Sequence, residues 1–208
     1  LNNGARINVC KQLKNNWHTG ISLGEYYDSR ELKQVKSGAG YEQYGKPLRY
    51  YKFNKINNLY YLNMDIARKQ TLFSRFHKPG IRVFAMYTGG LSLFVLKPYR
   101  LMVIEHSAGN STIQDIQYAD NPEAYQLHAG ILSRGSYLPA VQDLRITPGM
   151  HAGVQIGIQY KVGKFYNYLS VGLHVDYSMK AQQVVYSNSR NNFNIQTLIS
   201  IGLAHEKH

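Results

Sequence analysis

Residues 150 to 160 read MHAGVQIGIQY, and this stretch decides the fold. Every second residue from Ala152 to Tyr160 is apolar, while the residues on the other parity are histidine, glycine or glutamine. A period of two is that of a β-strand, whose side chains point alternately to its two faces. The stretch therefore predicts a strand with one apolar and one polar face.

The same alternation continues in two stretches downstream. Residues 165 to 177 carry Leu169, Val171 and Leu173 on one parity, and polar or small residues on the other. Residues 193 to 203 repeat the pattern, with only Leu198 out of phase. Three long antiparallel strands are therefore predicted for the last sixty residues.

The first two of these strands are separated by a connection short enough for a hairpin. A tight turn centred on residues 162 and 163 would set the register. It would pair Val154 with Val171 on the apolar face and His151 with His174 on the polar face. This register places small residues beside large ones, which is typical of a narrow interior filled by side chains.

Weaker alternation upstream predicts three more strands. Residues 60–66 and 81–87 are expected to form a hairpin, and Trp17 to Tyr27 an opening strand. Outer-membrane barrels have at least about eight strands, so two more are inferred between residues 91 and 147. The candidates are residues 99–106 and 125–137.

The lengths of the connections agree with a barrel in which short turns face the periplasm and long loops face outward. Residues 75–80 and 161–164 are short and are predicted to be inner turns. The long connections predicted to be outer loops are 28–55, 107–147 and 179–190. The chain is expected to be one domain, residues 1–208, with long extracellular loops near 28–55 and 107–147.

The sequence offers no membrane-spanning helix, because no run approaches the about 18 apolar residues that one needs. Closed antiparallel barrels also satisfy every backbone group in lipid. Soluble ligand-binding barrels alternate as well, but they turn the apolar face inward. Glycine on the polar parity and tyrosine at the strand ends favour an apolar face directed outward. The prediction is an all-β, closed, antiparallel, transmembrane up-and-down β-barrel with eight strands, six visible and two inferred.

This interpretation assigns the strand residues to two faces. The residues predicted to face the lumen are His151, Gln155, Gln159, Tyr168, Ser170, His174 and Asp176. The residues predicted to face lipid are Val154, Ile156, Ile158, Leu169, Val171, Leu173, Val175, Ile195, Ile199 and Ile201.

Composition excludes several classes of protein. A disordered basic arm would hold few aromatics, whereas 12% of these 208 residues are aromatic. The single cysteine excludes a disulfide framework. The net charge of +12 is scattered in ones and twos, without a basic helix, so nucleic-acid binding is not expected. Basic residues at strand ends could contact lipopolysaccharide phosphates or acidic headgroups, with simple solubility and anchoring as the alternative.

Several segments resemble a known family. They are KINNLYYLN at residues 55–63, YTGGLSL at 87–93 followed by LKPY at 96–99, and Pro148-Gly149 at the start of an alternating strand. They resemble small Bacteroidota outer-membrane β-barrel proteins over roughly residues 55 to 204. The resemblance implies an outer-membrane location, a barrel and no catalytic residues. Barrels of that phylum often serve as subunits of the β-barrel assembly machinery or the type IX secretion apparatus.

Two sets of residues could carry chemistry. His151, His174 and Asp176 share one face and would bind a metal if they converged on one centre, but lumen residues more often bond to one another. His106 and Ser107 invite comparison with barrel enzymes that trim lipid A. Adjacent strand residues point to opposite faces, however, so the two would not meet without a bend. No catalytic residue, metal or cofactor is therefore expected.

The expected function is that of a non-enzymatic, integral outer-membrane subunit of a multiprotein complex that inserts or secretes proteins. The expected partners are other envelope proteins and outer-membrane lipids or lipopolysaccharide, and the location is the outer membrane of a Gram-negative bacterium. No export signal precedes Leu1, so we expect it to have been removed or to lie outside this sequence. Three alternatives remain open: a lipid A-binding or lipid-modifying barrel, a small pore, and a soluble ligand-binding barrel.

Overall fold

The chain is all-β in a computed structural model that describes residues 3–27, 32–34, 51–53, 55–74, 81–107, 110–117, 131–136, 142–162, 165–184 and 191–205. These residues form twelve strands and one 3₁₀ turn, at Lys14–Asn16. Among them, no helix has the length and apolar character needed to cross a membrane. The strands are β1 (Asn3–Gln12), β2 (Trp17–Tyr27), β3 (Leu32–Gln34), β4 (Tyr51–Phe53), β5 (Asn57–Ser74), β6 (Arg82–Pro98), β7 (Arg100–Ser107), β8 (Asn110–Gln117), β9 (Ile131–Arg134), β10 (Arg145–Val162), β11 (Phe165–Gln182) and β12 (Asn191–His205).

Seven strands form one large antiparallel sheet in the order β1-β2-β5-β6-β10-β11-β12. All six strands that the alternation predicts belong to this sheet, and the predicted hairpin of β5 and β6 is confirmed. Several strands are longer than predicted. Strand β11, for example, continues to Gln182, so residues 179–182 are strand rather than loop.

The seventh strand, β1, is one that the sequence interpretation missed. Its signal is short: Ala5, Ile7 and Val9 alternate with polar residues before the turn. The turn into β2 is closed by a hydrogen bond of 2.7 Å from the Leu13 amide to the Trp17 carbonyl. Asn15 and Asn16 have φ values of 58° and 62°. Asparagine is among the few residues that adopt this left-handed conformation readily.

The predicted register of the β10–β11 hairpin is wrong by two residues. Val154 pairs with Leu173 rather than Val171, and His151 pairs with Asp176 rather than His174. The pairing closes at Val162 and Phe165, so the connection is residues 163–164, which lie outside the described part of the chain. Because the error is an even number of residues, every side chain keeps the face that the alternation predicts.

The two strands inferred between residues 91 and 147 do not join the large sheet. Strands β7, β8 and β9 instead form a separate sheet in the order β8-β7-β9, and most of candidate 125–137 lies outside the described residues. An ion pair of 3.1 Å between Arg100 and Asp115 joins β7 to β8. The small sheet has its own apolar core of Tyr99, Leu101, Val103, Ile116 and Ile131.

The segment predicted as a long loop at 28–55 also contains strands. Strands β3 and β4 pair antiparallel, with Leu32 opposite Phe53. Residues 28–31 and 35–50 lie outside the described residues.

The large sheet is curled, with the polar parity on its inner face. Tyr26 on β2 donates a hydrogen bond to Asp176 on β11, although three strands separate β2 from β11 in the sheet. Such a contact requires the sheet to bend round until these two side chains meet inside. The edge strands β1 and β12 also approach each other, with Cα atoms within 8 Å.

The curled sheet has two ends. At the turn end lie the connections β1–β2, β5–β6 and β10–β11, and at the loop end lie the longer connections between the other strands. An aromatic cluster fills the inner face near the loop end, with Tyr26 and Tyr61 ring centroids 4.7 Å apart. The aromatic cluster consists of three aromatic residues, Tyr26, Tyr61 and Phe94, and two leucines packed against them, Leu59 and Leu96.

Candidate functional site

A network of buried polar side chains crosses the inside of the sheet, and Asp65 on β5 is its centre. Arg6 on β1 donates to both carboxylate oxygens of Asp65, at 3.0 and 2.9 Å. Ser22 on β2 donates to Asp65 Oδ2 at 3.0 Å. Both bonds come from one nitrogen, Nη2, which bridges the two carboxylate oxygens, and hydrogen bonds between charged partners are stronger than neutral ones. The contacts join three strands through one carboxylate.

His151 on β10 extends the network across the interior. Its Nε2 lies 2.8 Å from Asp65 Oδ1, and its Nδ1 shares a hydrogen bond of 2.9 Å with Ser92 Oγ on β6. Serine, histidine and aspartate in this order resemble a hydrolase triad. Ser92, however, is only 2% exposed, so its hydroxyl is not presented to a substrate arriving from solvent. In this structure the three side chains tie β5, β6 and β10 together.

His174 and Asp176 on β11 continue the network. The rings of His151 and His174 stack with centroids 5.2 Å apart and an interplanar angle of 25°. His174 Nε2 lies 3.3 Å from Asp176 Oδ1, and Asp176, at 0% exposure, accepts the hydrogen bond from Tyr26. The interior network is therefore Arg6, Ser22, Asp65, Ser92, His151, His174, Asp176 and the hydroxyl of Tyr26.

A metal centre does not fit the geometry of these histidines. Their rings stack on one another rather than converge on a common point. In the part of the chain that the structure describes, no group of three or more His, Cys, Asp or Glu side chains could hold a metal ion. We therefore interpret the two histidines as structural residues that join neighbouring strands.

Glycines allow the interior to be filled. A Cβ on Gly153 would lie 2.8 Å from Thr88 Oγ1 and 2.9 Å from His174 Nδ1, and one on Gly157 would lie 2.7 Å from Phe84 Cζ. Contacts under 3 Å are too close for a real Cβ, so these positions leave no room for a larger residue. Side chains from neighbouring strands occupy the space instead.

The residues predicted to face the lumen lie on the inner parity of β10 and β11. Two of them, Gln159 and Tyr168, are half-buried. Gln155 accepts a hydrogen bond of 3.1 Å from Ser170 Oγ. The buried residues are His151, Gln155, Ser170, His174 and Asp176.

The outer face of the sheet is apolar and exposed. All ten residues predicted to face lipid are exposed there, with Ile201 at 84%. Other strands contribute in the same way, for example Ile7 and Val9 on β1, Ile21 on β2 and Ile66 on β5. A folded monomer in water rarely exposes so continuous an apolar surface. Contact of these residues with lipid stays a prediction.

Basic side chains lie over aromatic rings at the turn end. Arg68 lies 5.9 Å from the Trp17 ring centroid, and Lys161 lies 5.3 Å from that of Tyr166. Lys69 lies 4.2 Å from the Phe84 ring centroid and also donates a hydrogen bond to Gln159. Arrangements of this kind hold a cation beside a flat apolar surface.

The enzyme candidates of the sequence interpretation are not brought to this network. The backbone of His106 and Ser107 lies in β7 of the small sheet, opposite Ser111 and Asn110. The side chains of both residues lie outside the described part of the chain.

Sequence reasoning missed the residues at the centre of the network, Arg6 and Asp65. A signal was present for Asp65, because its parity is the one predicted to face a narrow interior, and burying a carboxylate there is costly unless it is paired. Nothing in the sequence named its partner. Arg6 lies 59 residues away along the chain, and only the curled sheet brings the two together.

In comparisons with known proteins, no family model matches the chain, and no curated protein or solved structure matches it.

Proposed function

We propose that this protein is an integral β-barrel of the outer membrane of a Gram-negative bacterium. One observation carries the proposal: across the large sheet, charged and polar side chains are buried on the inner face while aliphatic side chains are exposed on the outer face. This distribution is the reverse of that in a soluble barrel, which buries its apolar face. A hydrocarbon surrounding would bury the outer face, and inside the sheet the interior network pairs the charge of Arg6 with that of Asp65.

Strand direction sets a requirement for closure. Neighbouring strands of the seven-stranded sheet are all antiparallel, so β1 and β12 at its two edges run in the same direction. They cannot pair with each other in the antiparallel ladder of such barrels. Closure with the even strand number of bacterial outer-membrane barrels would need an eighth strand antiparallel to both edges. Strands on either side of a third are about 9.5 Å apart, so β1 and β12 would have to separate where their Cα atoms lie within 8 Å.

We further propose a structural role in a multiprotein envelope complex that inserts or secretes proteins, as the Bacteroidota resemblance implies. The filled interior supports this role over that of a pore, because side chains occupy the path that a solute would take. The buried position of Ser92 argues against this serine as a nucleophile. The partners in this proposal are other envelope proteins and outer-membrane lipids or lipopolysaccharide.

The membrane proposal is tested by single-cysteine labelling of two adjacent residues. Val154→Cys and Gln155→Cys are made in a Cys10→Ser background, and each protein is inserted into vesicles. We expect the thiol at position 154 to react only with a membrane-confined reagent, and the thiol at position 155 to react neither with that reagent nor with a water-soluble one. Water-soluble labelling of the Val154→Cys protein would exclude a lipid-covered outer face, and such labelling of the Gln155→Cys protein would show an open, water-filled lumen.

The subunit proposal is tested by mild-detergent extraction of native outer membranes, affinity isolation of the tagged chain and mass spectrometry. A defined set of envelope proteins in stoichiometric amounts is the expected result. Recovery of the chain alone, or with lipopolysaccharide only, would reject the subunit role and favour a lipid-binding or lipid-modifying barrel.

A further inference from the structure

We propose that the outer surface around Trp17 binds the headgroup of an anionic phospholipid. The site consists of Trp17 on β2, Arg68 on β5, Lys11 on β1 and Lys14 in the turn between β1 and β2. The inference rests on the proposed membrane location, and it adds a specific lipid class and a specific place to it.

The register places Trp17, Arg68 and Lys11 side by side, and Lys14 lies in the turn just before Trp17, whose backbone amide donates to the Lys14 carbonyl. Trp17 and Arg68 are directly paired across β2 and β5, and the guanidinium lies 5.9 Å from the ring centroid. Lys11 pairs with Thr19, two residues from Trp17 on the same face of β2. Diagonal neighbours of this kind are about 7 to 8 Å apart, within reach of a lysine side chain. Lys11, Lys14 and Arg68 are exposed, as is Trp17 at 42%.

Apolar side chains continue directly from this site along the outer face. Moving away from the turn end, the next exposed apolar residues are Val9 on β1, Ile21 on β2 and Ile66 on β5. An acyl chain lying on these residues would carry its headgroup to Trp17 and Arg68. Tryptophan is the side chain most typical of this boundary between hydrocarbon and headgroups.

The charge at the turn end points to an anion from outside the protein. Within residues 11–19, 67–74, 81–84, 158–162, 165–168 and 202–205, six residues are Lys or Arg and none is Asp or Glu. By sequence, the intervening connections at 75–80 and 163–164 add three basic residues and no acidic one, and residues 206–208 add one of each sign. A carboxylate partner for Arg68 is therefore absent from the described residues of this end.

A phosphodiester is the anion that suits the site. The planar guanidinium presents paired donors to phosphate oxygens while its face rests on the indole. Nucleic acid or an acidic protein would also meet the charge, but neither would cover the adjoining apolar residues. Continuity with the apolar outer face is what selects a phospholipid.

The single tryptophan of the chain gives a direct measurement. The protein is inserted into phosphatidylcholine vesicles that contain either brominated phosphatidylcholine or brominated phosphatidylglycerol at equal mole fraction. Bromine quenches tryptophan fluorescence only at close range, so the ratio of the two quenching strengths reports which lipid lies beside Trp17. We expect the phosphatidylglycerol to quench more strongly, and the difference to shrink as salt is added.

Two arginine variants separate the site from general charge. Arg68→Gln should lower the local preference for phosphatidylglycerol about five-fold, which corresponds to the about 1 kcal/mol expected for one basic side chain near an anionic surface. Arg145→Gln removes an exposed arginine at the loop end and should leave the ratio unchanged. Because each ratio compares two lipids with the same protein, changes in the brightness of Trp17 cancel.

The outcomes distinguish the two proposals. Equal quenching by both lipids would overturn the headgroup site and leave the membrane location standing. Quenching by neither lipid would show that Trp17 touches no lipid and would overturn the headgroup site, while the labelling of the Val154→Cys protein decides the membrane location separately. An equal loss of preference in Arg68→Gln and Arg145→Gln would show attraction by net charge and no site at Trp17. Release of Trp17 from quenching by an added acidic protein or nucleic acid would assign the surface to that partner.

Discussion

Tyr26 on β2 donates a hydrogen bond to Asp176 on β11, and this bond joins strands that are four places apart in the sheet. Each strand on its own needs only its neighbours for backbone hydrogen bonds. The Tyr26–Asp176 contact therefore adds a restraint on the curl of the whole sheet. It lies where the aromatic cluster meets the interior network, so it couples the apolar and polar layers of the interior.

We expect Tyr26→Phe to lower the free energy of unfolding by about 2 kcal/mol, because the buried Asp176 carboxylate loses a donor. The measurement is urea unfolding of the protein in detergent micelles. Tyr27→Phe is the matched control, since the Tyr27 hydroxyl donates at 3.0 Å to Glu25 on the same strand and the substitution keeps the aromatic ring. Equal losses in the two variants would contradict a special role of the Tyr26–Asp176 bond.

Asp65→Asn should cost more, about 3 to 5 kcal/mol, because it leaves the Arg6 charge inside the sheet without its carboxylate. The same unfolding measurement applies. Asp115→Asn is the control: its ion pair with Arg100 is of similar length but more exposed, so a cost of about 1 kcal/mol is expected.

A second substitution should restore part of the stability that Asp65→Asn removes. Arg6→Gln in the Asp65→Asn protein removes the unpaired charge and should recover stability. No recovery in the double variant would mean that Asp65 acts mainly through His151 and Ser22.

Two adjacent glycines on β6 provide a test of the filled interior. A Cβ on Gly90 would collide with the Met64 carbonyl oxygen and lie 2.9 Å from His151 Cε1. The nearest atom to a Cβ on Gly89 is the His151 carbonyl oxygen at 3.6 Å, an ordinary contact. We expect Gly90→Ala to destabilise by about 1 to 3 kcal/mol and Gly89→Ala to be neutral or slightly stabilising. A neutral Gly90→Ala would argue for a looser interior.

The depth dependence of a charge tests the outer face. Ile156 lies in the middle of β10 and Ile146 at its start, on the same exposed face. In a bilayer, Ile156→Lys should cost about 2 to 4 kcal/mol and Ile146→Lys about 0 to 1 kcal/mol. Folding in lipid vesicles followed by urea titration measures both. Similar small costs for the two lysines would place the outer face in water and reject the barrel as a membrane protein.

Alternation along the chain predicted six of the seven strands of the large sheet, because a period of two is a property of each strand by itself. It missed β1, whose three apolar residues give a short signal next to a turn. The predicted register of the β10–β11 hairpin was wrong by two residues. Alternation does not detect this error, because shifting the pairing by two residues leaves the same side chains on each face.

The interior network was beyond the reach of this reasoning. His151, His174 and Asp176 were recognised as one polar set because they lie close in sequence and on one parity. Arg6, Ser22 and Asp65 come from three other strands, and no local pattern relates them to His151. The two strands inferred upstream of β10 failed for a similar reason. They were inferred from the strand number of known barrels, and a strand count does not say which sheet a strand joins.

By itself, the sequence determined that the chain is all-β and which side chains of each predicted strand share a face. Those properties follow from local geometry, in which each residue turns its side chain opposite to the last. Only the tertiary structure decided that the polar face lies inside, that Asp65 meets both Arg6 and His151, and that the basic residues of separate turns lie at one end. These are relations between residues distant along the chain, and they exist only once the sheet has curled.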